Sequence, residues 1–413
     1  MQRYKQNNQS QPLHEVNTSA AGIFISPPPH FTPKTAAKTI AISGDLGNYT
    51  SYGATPVKST ISENVSKLKY DTKHRNIELK KRIGKKVDRV AGCGVRRISK
   101  IDKSSVDVVR GKSGNVYYSG MQRCGSVWLC PDCSYKIAKV RAEETYRQLM
   151  VYHEQNRQVY FVSFTLQHNV SQSLEYLWSH LSGGWSYARK HRKYNNLEIP
   201  VEYVRTYETM YGESGHHPHI HALFVGDSGT LDKIKLFAEL YKKYLSKNGF
   251  YINEHTVQID AWNGKSDTMS DYLFKGMIEH EMTAGSLKRA KNAKGGKSFF
   301  ELVSDDNTRA DIIDEYISVT KGKKQFQSSS GFFKDIKTET DEEILHDDAV
   351  DTVLMRIPHD TYKKIMKAGI AWNLLAEIKY RGSPGADQLL ISHNIDVSFL
   401  YDEDGILIDC CIQ

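Results

Sequence analysis

The segment 215–224, Gly-His-His-Pro-His-Ile-His-Ala-Leu-Phe, alternates histidine with apolar residues. In extended backbone, successive side chains point to opposite faces, so His217, His219 and His221 share one face and the apolar residues share the other. Imidazoles two residues apart can chelate one divalent cation, while the apolar face anchors the strand to a core. A solvated histidine-rich hairpin would explain why histidines are present but not why they alternate with apolar residues. The pattern therefore predicts a metal site.

A glutamate on the preceding strand is the favoured further ligand. If the hairpin is centred between Glu213 and Ser214, antiparallel pairing places Glu208 opposite His219 on the same face. One carboxylate beside two imidazoles suits Mg²⁺ or Mn²⁺ and leaves coordination positions for substrate oxygens. His217 is the rival ligand, because a one-residue slip of the hairpin would remove Glu208 from the site.

Four cysteines predict a second metal site of a different kind: Cys93, Cys124, Cys130 and Cys133. A Cys-x-x-Cys pair binds one ion from a tight turn, and tetrahedral zinc then needs two more ligands, which Cys124 and Cys93 can supply. His74 and His153 are alternatives to Cys93. A closed shell of thiolates is typical of structural Zn²⁺, and disulfides are disfavoured if the protein is cytosolic.

A tyrosine and a lysine form a candidate nucleophilic pair. In the segment 269–279, helical spacing puts Tyr272, Lys275 and Glu279 on one face. A phenol, with a pKa of about 10, is a poor nucleophile until a cation lowers that pKa or a base takes the proton. Lys275 and the metal can provide the cation. We therefore predict Tyr272 as a nucleophile.

Strands and helices alternate regularly in the region that carries these residues. We predict strands at 159–167, 200–211, 217–226 and 255–262, and helices at 171–192, 231–248 and from 268. This order predicts an α+β fold, a ferredoxin-like antiparallel sheet with helices on one face. In that plan the first and third strands lie side by side at the centre, so the histidines are expected mid-sheet on the open face.

Composition divides the 413-residue chain into four expected segments. Residues 1–66 are polar and Pro-containing, as in a disordered arm, and 67–150 form a basic, cysteine-rich, zinc-binding region. Residues 151–335 carry the predicted sheet and an extension, and 336–413 form an acidic linker with a small C-terminal element. Because no apolar run is long enough for a membrane span and no leader is recognisable, we expect a cytoplasmic protein without membrane association.

Positive charge is concentrated in the first part of the chain. Residues 1–150 carry 26 Lys and Arg against 11 Asp and Glu, whereas the remainder carries 30 against 37. A solvated basic surface is one explanation, and a surface that faces a polyanion such as DNA is the other. The candidate DNA-binding residues are Lys80, Lys81, Arg82, Lys85 and Lys86.

Three segments occur in a recognisable order, FVSFTLQH, TMYGESGHHPHIHALFV and DYLFKGM. They resemble the three motifs of plasmid rolling-circle replication initiators, which belong to the HUH endonuclease superfamily. RCGSVWLCPDCSYKIAKVRAEE resembles a cysteine-rich segment that precedes the first motif in one branch. Glu315-Tyr316 and the residues 320–325 resemble a sequence that follows the third. The resemblance covers about residues 85–335, and it implies that 151–335 is an HUH endonuclease domain.

The resemblance implies a DNA-nicking reaction. In that family a tyrosine attacks the scissile phosphodiester, leaves a 5′-phosphotyrosine and frees a 3′-hydroxyl that primes leading-strand synthesis. Tyr272 corresponds to the nucleophile and His219 and His221 to metal ligands, while Lys275 would neutralise the tyrosinate or the phosphate. The implied partners are origin DNA, as duplex or hairpin and as single strand, and a host helicase and DNA polymerase.

One position departs from the family pattern. Thr268 stands where related proteins can have an acidic residue that activates water for termination. Asp267, Asp271, Glu279 or a second subunit are the alternatives for that step. Other classes also stay open: a relaxase or single-tyrosine transposase, a metal-dependent phosphoesterase that uses water, and a non-catalytic nucleic-acid-binding module, whose sheet would present stacking aromatics instead of histidines.

Overall fold

The structure is a computed structural model that describes residues 75–98, 104–262, 296–346 and 349–400. Several predictions fall on other residues and lie outside the described part of the chain: the arm at 1–66, His74, the helix from 268, Tyr272 and Lys275. The described residues form an α+β structure, as predicted, and it contains two antiparallel sheets, of which one was predicted.

The strands and helices of the described residues follow one another along the chain. The strands are β1 (Ser105–Gly111), β2 (Val116–Tyr118), β3 (Gln158–Phe164), β4 (Val201–Gly212), β5 (Gly215–Gly226), β6 (Val257–Ala261), β7 (Phe326–Ser328) and β8 (Val350–Pro358). The helices are α1 (residues 75–84), α2 (Asp88–Ala91), α3 (Pro131–Glu154), α4 (Leu174–Lys190), α5 (Arg192–Asn195), α6 (Thr230–Lys247), α7 (Phe299–Ser304), α8 (Ala310–Thr320), α9 (Asp341–Leu345), α10 (His359–Ala368) and α11 (Ala371–Ser392).

The main sheet has the strand order β6-β3-β5-β4-β7, and every neighbouring pair is antiparallel. The first and third predicted strands, β3 and β5, are neighbours at the centre, which confirms the predicted arrangement. The outer strand β7 was not predicted, because three residues are too short to establish an alternating pattern.

The hairpin of β4 and β5 has the predicted register. Gly212 pairs with Gly215 across the two-residue turn, and Glu208 lies opposite His219. Gly215 has a φ of +87°, a conformation that glycine adopts without steric cost. A Cβ atom there would lie 2.9 Å from the Cα of Val170. Turn length and a close backbone contact therefore both maintain the register.

One face of the main sheet packs against α4 and α6. Phe164 of β3 and Phe224 of β5 contact Trp185 of α4, with ring centroids 5.3 Å and 5.8 Å apart. Trp185 in turn packs against Phe237 of α6 at 4.9 Å. The side chain of Ser173 begins α4 by accepting a hydrogen bond from the amide of Tyr176. Because Phe224 lies in this apolar layer, the alternate residues of β5, which include His219 and His221, must lie on the opposite face of the sheet.

The opposite face is partly covered too, which corrects the prediction of helices on one face only. Leu149 and Tyr152 of α3 pack with Phe161 and Val225 in a second apolar cluster. Alternation along the strand predicted at 159–167 places Phe161 on the open face with the histidines, yet it is 4% exposed. The prediction of one covered face was wrong because α3 precedes the first strand of the sheet. Most of this helix lies in the segment 67–150, which was predicted to be a separate zinc-binding region. Towards the hairpin, His217 and His221 on this face are partly exposed.

A second sheet joins distant parts of the chain. Its strand order is β2-β1-β8, so residues 350–358 pair with residues 105–111. Apolar residues of α10 and α11, including Ile365 and Leu374, pack against it in a separate cluster. The C-terminal element therefore completes a sheet that begins before the cysteine-rich segment. Among the described helices, none is both long and apolar enough to span a membrane.

The contact at the hairpin turn gives a test of the register constraint. Gly215→Ala and Gly249→Ala both place a side chain at positive φ, but a Cβ at Gly249 meets no atom within 4 Å. We expect Gly249→Ala to lower the free energy of unfolding by about 1–2 kcal/mol from backbone conformation alone. Gly215→Ala should lower it further, because its Cβ also overlaps Val170. Urea denaturation measures both, and equal losses would contradict the close contact.

Candidate functional site

Glu208, His219 and His221 come together on β4 and β5. An Oε2 atom of Glu208 lies 3.0 Å from Nε2 of His219 and 3.5 Å from Nε2 of His221. One ligand atom from each residue lies within 4.8 Å of the others. A carboxylate oxygen and two imidazole nitrogens directed at a common point can hold a divalent cation.

The second ring nitrogen of each histidine has its own partner. Nδ1 of His221 lies 3.0 Å from Oγ of Ser163 on β3, and Nδ1 of His219 lies 3.3 Å from the carbonyl oxygen of His217. Such contacts orient metal-binding imidazoles by leaving Nε2 for the ion. The group therefore fits a cation in its orientation as well as in its donor atoms.

The charges in the group also suit a cation. Burial disfavours the Glu208 carboxylate, but attraction and hydrogen bonding from His219 and His221 outweigh it and hold the pKa of Glu208 below its ordinary value. Burial lowers the pKa of His221, and burial followed by repulsion from His219 lowers the pKa of His217 to about 4. Burial lowers the pKa of His219, but attraction and hydrogen bonding from Glu208 outweigh it and raise that pKa above its ordinary value. The group therefore favours an ionised carboxylate and a neutral His221, the forms that bind metal, whereas a cation that binds His219 must compete with a proton.

His217 shares the predicted face but does not join this group. Its ring lies next to that of His219, with centroids 5.1 Å apart, while its Nδ1 lies 3.4 Å from Nδ1 of His168. Glu208, and not His217, thus has a ligand atom within 4.8 Å of those of both His219 and His221. His168 was missed because it follows β3 in a loop, where alternation no longer predicts which way a side chain points.

A second pair that sequence reasoning missed supports the hairpin. Nε2 of His216 lies 3.0 Å from Oε2 of Glu315 on α8, and Oε1 of Glu315 accepts a hydrogen bond from the amide of Leu174. The carboxylate therefore links β5 to the first turn of α4. Glu315 and His216 are 99 residues apart, so no local pattern could have paired them.

The four predicted cysteines form one buried group: Cys93, Cys124, Cys130 and Cys133. The sulfur of Cys133 lies 3.4 Å from that of Cys93 and 3.8 Å from that of Cys124. Four thiolates about 2.3 Å from a tetrahedral zinc would have sulfurs about 3.8 Å apart. Spacing and donor type therefore fit zinc. The alternative His153 lies against Trp262 instead.

A buried lysine supports the cysteine group. The ammonium of Lys80 donates to the carbonyl oxygen of Cys93 at 2.8 Å and to Asp132 at 2.7 Å. Asp132 lies in the first turn of α3, between Cys130 and Cys133. Lys80 is 1% exposed, so we assign it to this group and not to the predicted DNA-facing surface. Lys80 and Asp132 are 52 positions apart, so the sequence alone does not indicate that they pair.

The other predicted basic residues are exposed, and three of them contact carboxylates. Lys81 pairs with Glu78, Arg82 with Asp306 and Lys86 with Asp314. Lys85 is exposed as well. Exposed ion pairs contribute little free energy, so a polyanion can compete for these cations. These four residues therefore stay a predicted DNA-binding surface.

Comparison with known proteins gives two partial similarities. A Streptomyces lividans protein named "Protein rep" is 27% identical over 150 residues, and a Streptomyces cyanogenus protein named "Neomycin resistance protein" is 28% identical over 149. Each match covers 29% of this chain and 33% or 34% of the relative, so the chain spans about a third of the length of these relatives. No protein-family model and no solved structure matches. The similarity indicates a Rep-like relationship.

The geometry of the first group predicts which substitutions weaken metal binding. Glu208→Ala, His219→Ala and His221→Ala should each weaken Mn²⁺ binding by at least about tenfold, because each removes a ligand atom. His217→Ala is the matched control and should leave the affinity nearly unchanged. Calorimetric titration with Mn²⁺ measures all four. A loss in His217→Ala with none in Glu208→Ala would show that the ligand assignment is wrong.

The cysteine group predicts one structural zinc per chain. Elemental analysis after dialysis against a mild chelator should find about one zinc, and Cys130→Ser should lose it together with thermal stability. Serine is a favourable residue before a helix, so this change does not itself weaken the start of α3. His219→Ala should retain the zinc. Zinc that is absent from the unaltered protein, or lost only in His219→Ala, would contradict the prediction.

Proposed function

We propose that this protein nicks one strand of DNA at a replication origin by divalent-metal-dependent attack of a tyrosine, as a rolling-circle replication initiator does. The observation that carries the proposal is the group of Glu208, His219 and His221, with one carboxylate and two imidazoles directed at a common point. The order of the three sequence motifs supports it. The similarity to a protein named "Protein rep" supports a role in replication.

The residues of the group would hold Mg²⁺ or Mn²⁺, which when bound polarises the scissile phosphate and stabilises charge on its non-bridging oxygen. Glu208 contributes the negative charge that attracts the cation. Ser163 keeps the ring of His221 oriented, and Glu315 keeps the hairpin tied to α4 through His216. These residues would thus bind the cation and hold the phosphate in position before any bond forms or breaks, which lowers the entropic cost of the reaction.

Tyr272 is the proposed nucleophile. Its phenolic oxygen loses its proton and bonds to phosphorus, the bond from phosphorus to the 3′ oxygen breaks, and that oxygen takes up a proton. Lys275 would stabilise the phenolate. Tyr272 lies ten positions after Trp262, the last described residue after β6, and a chain of ten residues spans at most about 35 Å. This length allows Tyr272 to reach the histidine face.

The product carries the protein on a 5′ phosphate and a free 3′-hydroxyl. That hydroxyl would serve a host DNA polymerase as primer, with a host helicase separating the strands ahead. A relaxase or transposase would use the same chemistry on another element, and nicking of a plasmid origin in preference to transfer or inverted-repeat sequences distinguishes them.

The tyrosine gives the direct test. Tyr272→Phe keeps the ring and removes the phenol, so cleavage of a single-stranded origin oligonucleotide and the covalent protein–DNA adduct should fall to background, while DNA binding persists. Denaturing gels with Mn²⁺ measure both products. Tyr251→Phe, at a tyrosine 66% exposed, is the control and should form the adduct normally.

Two outcomes would overturn the mechanism. Undiminished adduct in Tyr272→Phe would mean that another residue attacks. Cleavage by the unaltered protein without any adduct would identify a metal-dependent phosphoesterase that uses water and needs no tyrosine.

A further inference from the structure

A cavity of about 770 Å³ lies between α3, the loop from Cys124 to Cys130 and the residues 317–326. Its volume is typical of ligand-binding clefts, which measure about 300–1,000 Å³. Six of its lining side chains are cations: Lys86, Arg89, Arg141, Lys321, Lys323 and Lys324. Among the described residues, Asp341 is the single acidic side chain on its wall. The cavity therefore favours an anion.

Most of this positive charge is not neutralised by acidic side chains of the described residues. Lys86 pairs with Asp314, and Arg141 pairs with Glu144 and Asp341. The remaining four cations form no salt bridge within the described part of the chain: Arg89, Lys321, Lys323 and Lys324. Like charges held close together repel each other, and a bound polyanion removes that repulsion.

The cavity reaches the neighbourhood of the metal-binding group. Thr206 of β4 lies on its wall and is the cross-strand partner of His221, and Glu208 follows two residues later on the same face. Thr206 is 1% exposed, and its hydroxyl has no hydrogen-bond partner among the described residues. A buried hydroxyl without a partner is costly, so this one is suited to a ligand oxygen.

The lysine-bearing loop is held in place from the cysteine side. The indole nitrogen of Trp128 donates to the carbonyl oxygen of Lys323 at 2.8 Å. Gly322, with a φ of +73°, makes the preceding turn. Because Trp128 lies between Cys124 and Cys130, the loop closed by the cysteine group forms one wall and anchors the opposite one.

We propose that this cavity binds the phosphate backbone of single-stranded DNA and leads it to Glu208, His219 and His221. Several separate cations fit a chain of phosphates better than a single anion. An enclosure of this volume holds a short stretch of single strand, whereas a duplex would touch only its rim. The inference rests on the proposed function for the identity of the strand, but the binding itself needs neither Tyr272 nor a metal.

The test measures binding of a fluorescein-labelled oligothymidylate to the full chain by anisotropy across a range of salt concentrations. Lys323→Ala with Lys324→Ala should weaken binding by about tenfold at low salt and reduce the salt slope by about 1.4, because each phosphate contact to a single strand contributes about 0.7. The control variant carries Lys363→Ala and Lys364→Ala, at two consecutive exposed lysines of α10, and it loses the same formal charge. Its affinity and its salt slope should be unchanged. The variant with Lys323→Arg and Lys324→Arg should bind as the unaltered protein does.

The outcomes separate this inference from the proposed function. Unchanged affinity and slope in the 323 and 324 alanine variant would overturn the inference, as would equal effects on a duplex of the same length. Competition by a free nucleoside triphosphate as strong as by the oligonucleotide would also overturn it, because it would identify a mononucleotide site. If the variant loses binding but the unaltered protein forms no covalent adduct, the cavity assignment stands and the nicking proposal fails.

Discussion

The pairing register of β4 and β5 is the constraint on which the candidate site depends. Glu208 lies opposite His219 because a two-residue turn joins Gly212 to Gly215. A slip by one residue would turn Glu208 towards the apolar layer and leave the imidazoles without their carboxylate. Aromatic packing of Phe224 against α4 opposes that slip, since it would carry the apolar residues of β5 to the other face.

Helix α3 links the two groups that could hold metal ions. Cys130 directly precedes this helix and Cys133 lies in its first turn, while its last turns place Leu149 and Tyr152 on the histidine face of the sheet. A structural metal would therefore position a helix that shapes the access to the first group. This arrangement gives the cysteine-rich segment a role in the geometry of the site although it contributes no residue to it.

The distribution of charge illustrates the limit of local reasoning. The basic stretch was predicted as a DNA-facing surface, yet Lys80 is buried against Asp132 and Cys93, and three of its neighbours contact carboxylates. Of that stretch, only Lys86 lines the cavity, together with the nearby Arg89, and the other cavity cations come from positions 141 and 321–324. Net charge is a property of composition, whereas the potential at a surface depends on which charges folding places together.

The sequence by itself determined the features that follow from local periodicity and turn length. The phase of the histidines, the partner of His219, the central strands and the four-cysteine group were all predicted, because alternation and a short hairpin leave few arrangements. Only the tertiary structure decided the contacts of His168 and Glu315, the burial of Lys80 and the coverage of Phe161 by α3. These pairs are separated by long stretches of chain, so no local pattern encodes them, and packing of the whole core selects them.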